Sequence, residues 1–214
     1  MPKLLVETRL ALDWLDTAPN IIPAHDAHTR AKGVHLSGII RYVLVQMKLL
    51  TPFEVQEEEM PIRVAMGTAW EAHIVKFIAK LYPAFVWQPG EYTEDGVTGN
   101  PDGLNYINIG GKNVGVVEEF KATWKTRFTH SLDSSKPNPE YKPITSVQLW
   151  MWQLAGYCYM LGVRHARLHV FWVNGDYRPP SPDFRTYLIE FTQEELDKFW
   201  NNVVLVNKDK AEAE

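Results

Sequence analysis

Apolar residues return at helical spacing through residues 66–82, MGTAWEAHIVKFIAKLY. At about 100° per residue, Gly67, Trp70, Ile74, Val75, Phe77, Ile78, Leu81 and Tyr82 share one arc, while Lys76 and Lys80 fall opposite. Glu71 lands inside that arc, between Ile78 and Tyr82. A carboxylate on a core-facing stripe is costly unless it is paired or ligated, so its position is informative. His73 lies at the arc's edge and reads as an ordinary boundary histidine. Apolar runs near 85–93, 97–108 and 113–121 predict strands, and a second helix is predicted over 144–161. Strands near 166–173 and 185–191 follow. Thr192 with Glu195 then makes a capping-box pattern that opens a last helix, and the charged tail NKDKAEAE is expected to fray.

Upstream, residues 17–34 read as irregular, and Ser37 is a candidate cap for a helix through GIIRYVLVQMKLL that stops before Pro52. The order helix, three strands, helix, two strands, helix predicts a mixed α/β domain over residues 65–214. Residues 1–64 are expected to form an N-terminal helical extension packed on it.

The stretch Gly99–Thr123, GNPDGLNYINIGGKNVGVVEEFKAT, places acids on both sides of a Gly-Gly pair. Gly-Gly favours a two-residue hairpin turn. Such a turn sets Ile109 against Lys112. The same register, carried back along both strands, sets Asp102 against Glu119 and Asn100 against Lys121, with opposed Cβ atoms about 5 Å apart. Lys121 then shares a face with Glu119, and Glu118 points the other way. Facing carboxylates repel, and a divalent cation bound by both is the natural compensation. Lys121 offsets part of the same repulsion. A register one residue away would reverse the faces and leave two solvated acids on an edge.

Composition narrows the class. With 45% apolar and 22% charged residues, the 214-residue chain has the make-up of a soluble globular protein with one sizeable core. A net charge of -4 provides no global basic field, so a nucleic-acid partner needs a local basic groove. The single cysteine, Cys158, cannot build a disulfide framework or an iron–sulfur site within the chain. No signal peptide or membrane span is read, and a reducing cytoplasmic compartment is the expected setting. There is no GxxxxGK[ST] and no GxSxG. His25 and His28 in HDAH read as surface histidines. The segment after Lys121 interleaves Lys125, Arg127, Lys136 and Lys142 with Trp124, Phe128 and Tyr141, as a strand-gripping arm would, although solvated loops of this composition are common.

Taken in chain order, Gly67-xxx-Glu71 on a helix, Asp102 in GNPDG, and Glu119-Phe120-Lys121 at a strand end resemble the PD-(D/E)XK nuclease superfamily. Gln153-xxx-Tyr157, in QLAGY, is similar to the QxxxY motif of its RecB and lambda-exonuclease branch. The resemblance covers about residues 65–175. It implies a restriction-endonuclease-like core, a mixed central sheet flanked by helices in the order α-β-β-β-α-β. It also implies a DNA nuclease that hydrolyses phosphodiester bonds with Mg²⁺ or Mn²⁺, acting on linear duplex ends or single strands in recombination, repair or phage DNA processing. A recombination partner protein fits that setting.

In that reading Glu71, Asp102, Glu119 and the carbonyl of Phe120 hold the metal, and Lys121 acts with Asp102 and Glu119 in catalysis. Gln153, Tyr157, Lys125 and Arg127 meet the substrate. Gln153 and Tyr157 lie one turn apart on a helix that is apolar nearly all round, where a buried tyrosine with a satisfied hydroxyl is equally ordinary. GVHLSGIIRYVL resembles the helix before the core in RecB-like nucleases. His35 there is a weak candidate for an extra metal contact, a turn histidine being the commoner reading. Three alternatives stay open: a structure-specific endonuclease, a non-catalytic DNA-binding protein that keeps the fold, and an enzyme of other metal chemistry.

Overall fold

The computed structural model describes residues 2–10, 33–50, 61–123, 147–173 and 182–213. Its centre is a six-stranded mixed sheet. The strands are β1 (Lys3–Leu10), β3 (Val86–Trp87), β6 (Gly103–Ile109), β7 (Lys112–Thr123), β8 (His165–Trp172) and β9 (Asp183–Glu190), in the order β1-β9-β8-β7-β6-β3. Every pairing is antiparallel except β7 with β8. That parallel step needs a crossover, and the helix α3 (Gln148–Met160) lies within it. A small sheet, β2 (Val34–His35), β5 (Val97–Gly99) and β4 (Tyr92–Glu94), stands apart.

Helices cover both faces, so the chain is a mixed α/β fold as expected. On one face, α1 (Leu36–Gln46) and α3 share a core with Val117, Leu168, Val170, Trp172, Tyr187 and Ile189. On the other, Ile74, Val75 and Ile78 of α2 (Pro61–Leu81) pack on Phe120, Phe171 and Phe184. The arc read from the sequence supplies these contacts, although Leu81 at its end is exposed. His73 bonds the carbonyl of Ala69 through Nδ1 at 2.8 Å, as a boundary histidine would. Among the described residues no helix is long and apolar enough to cross a membrane.

Several expectations change. The N-terminal extension is helical over Leu36–Gln46, but Lys3–Leu10 is an edge strand of the main sheet, recruited by β9 across the length of the chain. A distant partner strand decides that conformation, which local propensity does not reach. The cap of α1 is His35 and not Ser37, with no side-chain cap bond. The run 97–108 is two strands in two sheets, broken at Asn100–Asp102, where Pro101 has no N–H for a ladder. The capping box at Thr192 and Glu195 is present and opens α4 (Gln193–Phe199). A π-helical stretch, Trp200–Leu205, carries the chain into α5 (Val206–Glu212), so the tail is helical almost to its end.

Candidate functional site

The two glycines of the hairpin take left-handed φ values, 58° at Gly110 and 83° at Gly111, as a two-residue turn of the primed type requires. Ile109 pairs with Lys112, and the ladder runs in that register to Gly103 with Glu118. There β6 stops, while β7 continues against β8 as far as Thr123 with Trp172. One edge of β7 past Glu118 is therefore left to Asp102. The Asp102 carbonyl is held by the N–H of Gln88 at 2.9 Å.

Asp102 closes that gap with its side chain: Oδ2 accepts the main-chain N–H of Phe120 at 2.8 Å. In an extended strand a residue's N–H and C=O point to the same edge, so the Phe120 carbonyl also faces the Asp102 side. Thr123, of opposite parity, turns its carbonyl towards the β8 side, to the N–H of Val173 at 2.9 Å.

Glu119 is 2% exposed. Lys121 Nζ donates to its Oε1 at 2.6 Å, and its buried Oε2 has no hydrogen-bond partner of normal geometry among the described residues. Burial pushes the Glu119 carboxyl up to about 8, with Asp102 adding to the rise and Lys121 opposing it. Burial likewise raises Asp102 to about 6. Lys121 and the Phe120 N–H work against that rise, and Glu71 adds to it. Glu71, half-buried on α2, is raised by burial and by Glu119 and lowered by Lys121. The Trp87 indole N–H also favours the charged form of Glu71 without making a hydrogen bond of normal geometry. The four side chains thus share one electrostatic neighbourhood.

These residues fit a hard divalent cation. The carboxylates are desolvated, one buried oxygen lacks a well-placed donor among the described residues, and the carbonyl beside them faces the same gap. Among the described residues no three His, Cys, Asp or Glu side chains converge at ligating distance. The acids here are an Asp102–Glu119 pair, with Glu71 acting on it through the field.

Gln153 and Tyr157 do meet one another: Gln153 Nε2 donates to the Tyr157 hydroxyl at 3.0 Å. Tyr157 is 5% exposed and lies against Gly99, where a Cβ would come within 3.0 Å of its ring. It therefore backs the turn that leads to Asp102. His35 sits in β2 opposite Thr98. Lys125, Arg127, His25 and His28 lie outside the described residues.

Sequence reasoning missed a second buried cluster on the other face of β7. Glu118 is fully buried and accepts from Asn105 Nδ2 at 3.0 Å and Arg167 Nη1 at 2.8 Å through Oε1. Its Oε2 bonds His169 Nε2 at 2.8 Å, and His169 Nδ1 bonds Thr186 Oγ1 at 2.9 Å. With Glu118 accepting, Nε2 carries the ring proton and Nδ1 accepts from the threonine hydroxyl. Burial keeps the imidazole towards its neutral form, against the pull of Glu118. The signal was present in HARLHVFW, where His165, Arg167 and His169 stand two apart between apolar residues.

No protein-family model matches the chain, and no curated protein matches it. Similar solved structures include LHK-Exo in complex with dAMP, 17% identical, covering 85% of this chain and 90% of that one at a TM-score of 0.45. They also include a phage-related exonuclease from Haemophilus somnus 129PT, 12% identical, covering 83% and 81% at 0.44.

Proposed function

We propose that this protein is a divalent-metal-dependent DNA nuclease that works as an exonuclease on linear DNA. The observation that carries the reading is the buried Asp102–Glu119 pair. Both carboxyls are held above their ordinary range, Glu119 Oε2 has no hydrogen-bond partner of normal geometry among the described residues, and Lys121 lies alongside. A purely structural acid pair would be expected to find donors for its buried oxygens.

Asp102, Glu119 and the Phe120 carbonyl would hold Mg²⁺ or Mn²⁺, with Glu71 supplying further negative charge. When bound, the metal lowers the pKa of a water and polarises the phosphate. In the hydrolysis, the water oxygen bonds to phosphorus, the phosphorus–oxygen bond to the leaving sugar breaks, and that oxygen takes up a proton. The Lys121 ammonium, already beside Glu119, stabilises charge as it builds on the phosphate oxygens. Tyr157 orients Gln153 through their shared hydrogen bond, and Gln153 contacts the DNA backbone. Lys125 and Arg127, a few residues beyond Lys121, add phosphate contacts.

Incubation of linear duplex, single-stranded and covalently closed circular DNA with Mg²⁺ or Mn²⁺ tests this. Linear substrates are degraded and closed circles survive. Cleavage of closed circles at a similar rate would mean an endonuclease. No degradation of any substrate, with Lys121→Ala indistinguishable from wild type, would end the enzymatic reading.

A further inference from the structure

The Glu118 cluster is hard to explain as stabilisation alone. Glu118 is fully buried, and Arg167 is 4% and His169 0% exposed. A buried ionic group of this kind is no more stable than well-packed apolar residues of the same volume. Its placement is specific. Glu118 lies next to Glu119 on β7, and its bonds cross the sheet in a line from β6 to β9 through Asn105, Arg167, His169 and Thr186.

Each partner reaches an element that delivers a site group. Asn105 stands three residues after Asp102. His169 stacks on the ring of Phe120, centroids 4.8 Å apart and planes 18° apart, and the Phe120 N–H holds Asp102. Arg167 lies 3.9 Å over the ring of Tyr82, just past the end of the helix that carries Glu71. A one-residue slip of β6 on β7 would turn Asn105 to the front face and break its bond to Glu118, which β8 holds in place.

We propose that Asn105, Glu118, Arg167 and His169 are positioning residues that lock the register of β6 on β7, and so set Asp102 and the Phe120 amide against Glu119. Its consequence for metal binding rests on the reading of the front face as a cation site.

The test uses the whole protein. Glu118→Met with Arg167→Met removes both charges together and strands only the uncharged Asn105 amide and His169 ring, so the variant should still fold. Glu118→Gln keeps an acceptor for Asn105 and Arg167, its amide N–H is accepted by Nε2 of the other His169 tautomer, and it is the conservative rescue. The first readout needs no metal: hydrogen exchange of the Phe120 amide by NMR. The double variant exchanges that amide about tenfold or more faster while amides of β8 and β9 hold, and Glu118→Gln restores slow exchange. The second readout is Mn²⁺ calorimetry, where the double variant binds about tenfold or more weakly and Glu118→Gln stays near wild type.

A folded double variant with wild-type Phe120 exchange and wild-type Mn²⁺ affinity overturns the proposal. Wild-type protein that binds no Mn²⁺, while the amide still loosens in the double variant, overturns the cation site and leaves the register lock standing.

Discussion

Glu118 and Glu119 are neighbours in sequence, equal in chemistry and almost equally buried, yet their surroundings are opposite. Behind the sheet, Glu118 has a donor for each oxygen, from Asn105, Arg167 and His169. In front, Glu119 has Lys121 on one oxygen and, among the described residues, no partner of normal hydrogen-bond geometry on the other, with Asp102 close by. The alternation of a strand makes this division possible within two residues.

The comparison breaks most visibly in activity. Lys121→Ala, Asp102→Asn and Glu119→Gln should each reduce metal-dependent DNA hydrolysis by about two orders of magnitude or more, measured on a linear substrate at saturating metal. A Glu119→Gln enzyme of wild-type rate would make the two glutamates alike.

Next comes stability. Glu118→Ala strands Arg167 and His169 as buried unpaired groups and should cost about 3–5 kcal/mol by denaturant unfolding. Glu119→Gln should cost nothing, or stabilise the metal-free protein at alkaline pH. Equal losses at both positions would sink the distinction.

A smaller effect follows from pH. Folding raises the Asp102 carboxyl to about 6 and Glu119 to about 8. Each keeps its proton more tightly folded than unfolded, so its contribution is full below about pH 4 and is lost as pH rises through those values. The metal-free protein should melt lower at about pH 9 than at about pH 5, and Glu119→Gln should flatten the decline, by about 2–4 °C for each kcal/mol involved. Mg²⁺ or Mn²⁺ at the higher pH should raise the melting temperature again. The smallest change is Tyr157→Phe, which removes the hydroxyl that Gln153 bonds and should cost about 1 kcal/mol in thermal unfolding.

The parts that were legible before folding share a short reach. Gly110-Gly111 dictated a primed turn, and the turn dictated the register that runs back to Gly103 with Glu118, one step short of Asp102 and Glu119. The helical period put Glu71 on the buried arc, and Thr192 with Glu195 announced a helix start. Each rests on rules that act within one turn, one strand pair or one helical repeat. The tertiary structure alone decided the rest. It made Lys3–Leu10 the outer strand of the sheet, because β9 is its partner and lies almost the whole chain away. It split the run at Pro101 between two sheets, ended β6 short of β7, and so opened the edge where the Phe120 amide meets Asp102. It also joined Glu118 to Arg167 and His169 across a parallel pairing whose crossover no local pattern registers. Local sequence sets which face a side chain takes, and long-range packing sets what that face meets.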